Sequence, residues 1–268
     1  VRPLWILTAL LLPEGFTLTH LKKILKQIDD AARQLGVAVV GGHSEITSTV
    51  KHPIIVTTAI GETTDKKFLS SSEAQIGDSL IMTKGAGIEG TSILAYELTD
   101  FLVDKIGRKE VEKAKCFIQM TSVVTDALTA VEAGGVHAMH DATEGGVAGA
   151  IQEMPWASDR GAVVHEDKIP VYAATKAICE ALDIDVLRTI SSGTLLISAA
   201  PESSEKIVAA LEERNIRASE IGNIVSKRQG ICVIRKDGTR LNLSKPVKEQ
   251  LWMALKRATK WTKKTAEE

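Results

Sequence analysis

Cysteine, aromatic side chains and long apolar runs are all in short supply in this 268-residue chain. Its three cysteines, Cys116, Cys179 and Cys232, stand far apart and without CxxC spacing. That excludes a disulfide-framed mini-domain and a cysteine-ligated zinc site, and reads as the reduced thiols of a cytosolic protein. Aromatics are 4% of residues, and 33 Lys and Arg nearly balance 34 Asp and Glu, a net charge of −1. Such a composition offers neither a base-stacking surface nor a basic field for nucleic acid or an anionic membrane. The basic tail "KRATKWTKK" reads as a solvated helix end. No apolar run reaches the ~18 residues of a membrane span. The opening "LWILTALLLP" stops at Pro13 and lacks the basic start and cleavage site of a signal peptide. It reads as a buried strand.

What is present is a mixture of strands and helices. Residues 17–35 place apolar side chains at Leu21, Ile24, Leu25, Ile28, Ala31, Ala32 and Leu35, the spacing of an amphipathic helix that stops at Gly36. "VAVV" and "PIIVTTAIGE" are strand candidates. The polar stretch from Thr63 to Asp78 marks a domain boundary near residues 64–78, giving domains over residues 1–66 and 67–268. Beyond it come a strand at 79–83, a helix at about 90–106, another at about 121–133, the short strand "VHAMH" and a glycine-opened helix. A helix at 172–182, the strand "GTLLISA", a helix at 202–215, the strand "ASEIGNIV" and a hairpin turning at Asp237-Gly238 complete the chain. Strands and helices do not alternate strictly, which predicts an α+β fold.

Two glycine-rich segments hold the chemistry. "TKGAGIEGT", from Thr83 to Thr91, has the GxGxxG spacing of a dinucleotide fingerprint. The required second strand ending in an acidic residue is missing, and Thr91 stands where a P-loop needs lysine. A tight turn delivering a helix N-terminus remains, with Lys84 and Gly85 as anion-binding candidates. In "MHDATEGGVAGAI", Asp141 ends a strand, Thr143 is a natural N-cap, and Gly145-Gly146 open a helix. A carboxylate beside free N–H groups points to a metal-bridged phosphate. In "VVGGHSEIT" the strand is expected to break at Gly41-Gly42 and to present His43, Ser44 and Glu45. His137 and His140 have HxxH spacing, but on a strand they point to opposite faces and do not form a joint metal site.

These segments, together with "VRPLW", "IGDSLIMTKGAGIEGT", "EDKIPV", "ISSGTLLISA" and "IGNIV", resemble the AIR synthase-related superfamily. That group includes aminoimidazole ribonucleotide synthetase, HypE proteins, selenophosphate synthetase and thiamine-monophosphate kinase. The resemblance covers nearly all of residues 1–245 and is nearest to HypE-like members. It implies a two-domain α+β protomer, an N-terminal domain present in part and a C-terminal α/β domain, pairing as a homodimer through N-terminal sheets. It also implies ATP and Mg2+ as cofactors, and phosphoryl transfer to an amide- or carbamoyl-type oxygen. Carried onto this chain, it makes Asp141 a metal and catalytic candidate, with Thr143, Gly145 and Gly146 at the phosphate. Glu45 and His43 follow as further catalytic candidates, Glu45 also as a metal ligand, with Gly41, Gly42 and Ser44 as nucleotide contacts. Lys84 and Gly85 come third. The chain lacks the upstream Gly/Asp-rich stretch and the terminal cysteine of HypE proteins. Two alternatives therefore stand beside the enzyme reading: a non-catalytic member with an assembly or regulatory role, and a thiamine-monophosphate-type kinase.

Overall fold

The computed structural model describes residues 1–63 and 68–265, with the side chains of the last helix described to Ala258. The expected boundary between residues 66 and 67, and most of the basic tail's side chains, fall outside these. The chain divides into two compact units, Val1–Phe68 and Leu69–Glu268.

In the first unit, β1 (Arg2–Leu12), α1 (Leu18–Leu35) and β2 (Ala38–Ile46) form a β-α-β crossover with β2 parallel to β1. β3 (Ile54–Glu62) runs antiparallel along the other edge of β1, giving the order β2-β1-β3. α1 starts where the Thr17 hydroxyl accepts the His20 N–H at 3.3 Å. It ends at Gly36, whose φ of 66° is a left-handed conformation that suits glycine. The expected break at Gly41-Gly42 does not occur: β2 continues to Ile46. A register shift between Ile6 and Leu7 absorbs Val40 as a bulge. A Cβ on Gly42 would land on the Thr8 carbonyl, so the glycine lets β2 lie close against β1 instead of ending it.

Residues paired across a sheet share a face. Trp5, Leu7, Ala9 and Leu11 therefore stand with Ile60, Val56 and Ile54, and with His43 and Glu45. Leu10 and Leu12 lie on the opposite face and are buried. On the first face Trp5 is 40%, Leu7 37%, Val56 55% and Ile60 41% exposed, an open apolar surface of the kind that usually meets a partner.

The second unit is built on β4 (Ser79–Thr83), β5 (Val136–Asp141), β6 (Gly161–His165), β7 (Leu195–Ala199), β8 (Ala218–Val225), β9 (Ile231–Ile234) and β10 (Arg240–Asn242). They form a mixed sheet in the order β10-β9-β6-β8-β4-β7-β5. The helices are α2 (Ile88–Glu97), α3 (Thr99–Ile106), α4 (Arg108–Lys115), α5 (Val124–Ala133), α6 (Gly146–Ala157), α7 (Ala173–Leu182), α8 (Ser204–Glu213) and α9 (Leu251–Thr265). Both faces of the sheet are covered, which is why "SLIM" and "LLIS" read as unbroken apolar runs. Leu80, Met82 and Leu196 pack with Val147, Ile151 and Met154 of α6. Ile81, Leu195 and Ile197 turn the other way, onto Ala130 of α5 and Ile207 and Leu211 of α8. A third cluster joins α2, α3, α4, α7 and α9 through Leu94, Leu102, Val111, Ile178 and Leu251.

The helix expected at 90–106 is two helices. Leu98 leaves the helical region at φ −119°, and the Thr99 hydroxyl donates back to the carbonyls of Ala95 at 2.8 Å and Tyr96 at 3.1 Å. The α+β expectation holds, and the hairpin turns at Gly238 as expected, with φ of 81°.

Candidate functional site

β4 and β5 both run antiparallel to β7, which lies between them. Their carboxyl ends therefore emerge at the same end of the sheet, beside the start of β7. This topology sets the two glycine-rich turns, 84–87 and 141–146, side by side with the loop 191–194 between them. That loop stitches both turns down. The Ala142 N–H donates to the Thr194 carbonyl at 2.9 Å, and the Ser191 N–H to the Ala142 carbonyl at 3.1 Å. On the other side the Gly87 N–H donates to the Ser191 hydroxyl oxygen at 2.8 Å, and the Thr194 hydroxyl to the Gly85 carbonyl at 2.7 Å.

Lys84 does not reach out for an anion. Its ammonium donates to Asp126 Oδ1 at 2.7 Å, to the Ser122 carbonyl at 2.8 Å and to the Gly193 carbonyl at 2.8 Å. The three N–H donors of an ammonium are thereby all engaged. The Lys84 side chain is 12% exposed and that of Asp126 2%, so this is a buried clamp tying the first turn to the start of α5 and to the loop 191–194. Gly85 admits the Tyr172 ring, whose Cε2 would lie 2.8 Å from an added Cβ.

Asp141 is exposed at the end of β5, and its carboxylate has no ion pair or hydrogen bond among the described residues. Thr143 does not cap α6. The helix is capped by Gly145 (φ 77°), followed by Gly146 (φ 62°), and receives no side-chain bond from its N-cap. Two successive left-handed glycines delay the helix start, so the Gly146 N–H meets the Thr143 carbonyl at 3.0 Å and not its hydroxyl. The expected anion nest is also already in use. The Gly145 N–H donates at 2.9 Å to Oε2 of Glu249, whose Oε1 accepts the N–H groups of Gln250 at 2.9 Å and Leu251 at 2.8 Å, at the start of α9. One carboxylate thus serves two helix N-termini, where negative charge is favoured.

In the first unit His43 Nε2 lies 3.5 Å from Glu45 Oε2, both well exposed. Gly41, Gly42 and Ser44 belong to the same strand. The HxxH histidines are separately engaged: His137 Nδ1 with Asp78 at 2.9 Å, and His140 with Glu153 at 2.8 Å and Ser71 at 3.2 Å. Among the described residues no three His, Cys, Asp or Glu side chains gather as metal ligands.

Sequence reasoning missed Asp126, the loop 191–194 and Glu249. An acidic residue just before an amphipathic run signals a helix start, which was available for Glu249. Its bond to Gly145, across a separation of 104 residues, had no sequence signal.

The model of the C-terminal domain of AIR synthase related proteins matches residues 75–235, and that of the N-terminal domain matches residues 1–63. The chain belongs to the AIR synthase related protein family. A Methanocaldococcus jannaschii protein provisionally named a hydrogenase expression/formation protein is 29% identical over 243 residues, 90% of this chain and 70% of the relative. The carbamoyl dehydratase HypE of Rhizobium leguminosarum bv. viciae is 29% identical over 231 residues, 84% of this chain. The chain spans only 63% of that family member's length. Among solved structures, hydrogenase maturation protein HypE in complex with ATP matches with a TM-score of 0.77 at 24% identity, over 94% of this chain and 76% of that one. Thiamine-monophosphate kinase of Stenotrophomonas maltophilia matches with a TM-score of 0.73 at 21% identity, over 90% and 73%. At these identities the two structures speak for the family's fold alone.

Proposed function

We propose that this chain is an ATP-dependent phosphoryl-transfer enzyme of the HypE and AIR synthetase type, working with Mg2+ on an amide- or carbamoyl-type oxygen of a small substrate. The observation that carries this reading is Asp141: an exposed carboxylate, free of internal partners, set just before a helix that opens on two left-handed glycines. Relatives named carbamoyl dehydratase HypE support it.

Mg2+ takes one or two carboxylates and leaves its other positions to water and phosphate oxygens. A single carboxylate such as Asp141 fits a metal held jointly with a nucleotide, and no three-ligand cluster is needed. ATP, when bound, supplies the phosphoryl group that turns the substrate oxygen into a leaving group. The protein's part is alignment and charge neutralisation. Asp141 would hold the metal at the strand end, beside the glycine turn. Thr143, Gly145 and Gly146 shape that turn. Lys84 and Gly85 brace the neighbouring one. Gly41, Gly42, His43, Ser44 and Glu45 form a second polar set in the first unit, with Glu45 as the further carboxylate and His43 beside it.

Asp141→Asn keeps the side-chain shape and removes its charge. It is expected to weaken Mg2+-dependent nucleotide binding about tenfold, close to 1.4 kcal/mol, while binding without Mg2+ and the melting temperature stay as they are. Calorimetry with Mg2+ and a non-hydrolysable ATP analogue reads this. Equal affinities with Mg2+ present would favour the second reading, a family member kept for assembly or regulation. The specific observation on that side is Glu249, which already occupies the Gly145 N–H.

We further propose that two copies pair through the open face of β1 and β3, where Trp5, Leu7, Val56 and Ile60 are exposed. Light scattering is expected to give twice the chain mass, and Val56→Lys to halve it, because a charge in an apolar interface must be desolvated. A wild-type monomer at micromolar concentration would overturn the pairing.

A further inference from the structure

A cavity of about 480 Å3 opens between the carboxyl half of α7 and the turn joining β9 to β10. Its size is that of a small-molecule site, and two of its lining residues, Val186 and Leu187, also back the glycine turns at Gly87 and Gly146. Part of its lining is apolar and buried: Ile169, Leu187 and the Cys179 thiol. Burial pushes that thiol up to about 12, so it is uncharged at neutral pH.

The charged groups around it are four carboxylates and two lysines. Two of the carboxylates are compensated internally. Arg235 donates to Glu166 Oε1 at 2.6 Å and to Asp185 Oδ2 at 2.7 Å. The other oxygens of this pair take the N–H groups of Lys236 and Leu187, both at 3.0 Å. Glu180 and Asp183 are left. Glu180 has only a loose contact with Lys176 at 3.8 Å, both side chains being well exposed. The Asp183 carboxylate is exposed and has no partner among the described residues.

These two acids are badly placed for the helix that carries them. α7 has no acidic residue in its first turn and no basic residue in its last, while Lys176 precedes Glu180. Its charges therefore run against the macrodipole and against the favoured Glu-before-Lys order. Asp183, the C-cap, adopts φ 53° and ψ 55° without being glycine, a position where glycine is the usual residue. A local arrangement that opposes helix stability, beside a formed cavity, is where a functional demand is expected to override local preference.

We propose that this cavity binds a small organic cation, an ammonium or guanidinium group carried on an apolar chain. The cation sits against Glu180, Asp183 and the carbonyl end of α7, and the chain lies on Ile169 and Leu187. Titration of the full chain with n-hexylammonium and with hexanoate, followed by NMR chemical shifts, tests this. Saturable binding of n-hexylammonium with shifts centred on residues 179–187, and none of hexanoate, is the expected result. The double variant Glu180→Gln, Asp183→Asn should lose affinity at least tenfold, yet melt no lower than the wild type, since it removes negative charge from the negative end of a helix. Hexanoate binding as tightly as n-hexylammonium would overturn the proposal. So would no saturable binding of n-hexylammonium, or affinity unchanged in the double variant.

Discussion

Lys84→Met is expected to lower stability by about 3–5 kcal/mol, the cost typical of removing one partner from a buried ion pair. The reason lies in what is left behind. Asp126 is 2% exposed, and without the ammonium 2.7 Å away its charge stays buried with no compensating cation. The carbonyls of Ser122 and Gly193 lose a donor at the same time. Lys84 also sits at φ 57°, a conformation the clamp over-determines and methionine would have to keep unaided. Replacing both partners, Lys84→Met with Asp126→Leu, should recover much of the loss, because the uncompensated charge goes too. Urea denaturation of the single and double variants reads the effect directly. A loss below about 1 kcal/mol for Lys84→Met, well under the buried-pair range, together with weakened nucleotide binding, would return Lys84 to the anion-binding role that its place in a glycine turn implies.

What the sequence made legible, and what it did not, follows from the range of the interactions. α1 could be read to within a residue because its signals are local: Thr17 at the start, Gly36 at the end, apolar spacing between. β4 and β8 fall where their apolar runs place them, each closed by a turn. Glycine was the ambiguous letter. At Gly36 it ends a helix; at Gly42 it lets two strands approach, and only the cross-strand neighbour Thr8 tells the cases apart. β6 escaped reading because its five residues, "GAVVH", are too few for a period to show. The site shows the same division. The exposed position of Asp141 at a strand end was legible from "VHAMHD". The partners of Lys84 and of Gly145 were not, since Gly193 and Glu249 come from loops more than 100 residues away, at separations of 109 and 104. A lysine in a glycine turn looks the same in sequence whether it waits for phosphate or holds the protein's own carboxylate.

Glu249→Ala is expected to cost about 2–3 kcal/mol, as two helix caps are lost together at roughly 1–1.5 kcal/mol each. Oε2 holds the Gly145 N–H ahead of α6, and Oε1 holds the first N–H groups of α9. The segment between β10 and α9 is tied to α6 independently: the buried Gln152 amide donates to the carbonyls of Leu243 and Lys245, and its oxygen accepts the Val247 N–H at 3.3 Å. The chain should therefore stay docked when the carboxylate is removed, with the Gly145 N–H open to solvent. Glu249→Gln, which keeps the acceptor oxygen but not the charge, should cost less. If Glu249 stands where a phosphate binds, both variants should gain affinity for pyrophosphate, and added pyrophosphate should raise their melting temperatures more than the wild type's, as ligand linkage requires. Comparing the variants under identical salt separates this from the general stabilisation that phosphate-type anions give any protein. A variant that is destabilised but responds to pyrophosphate no more than the wild type would make Glu249 a helix cap alone. The phosphate would then have to be held by Asp141 through its metal, without the glycine turn.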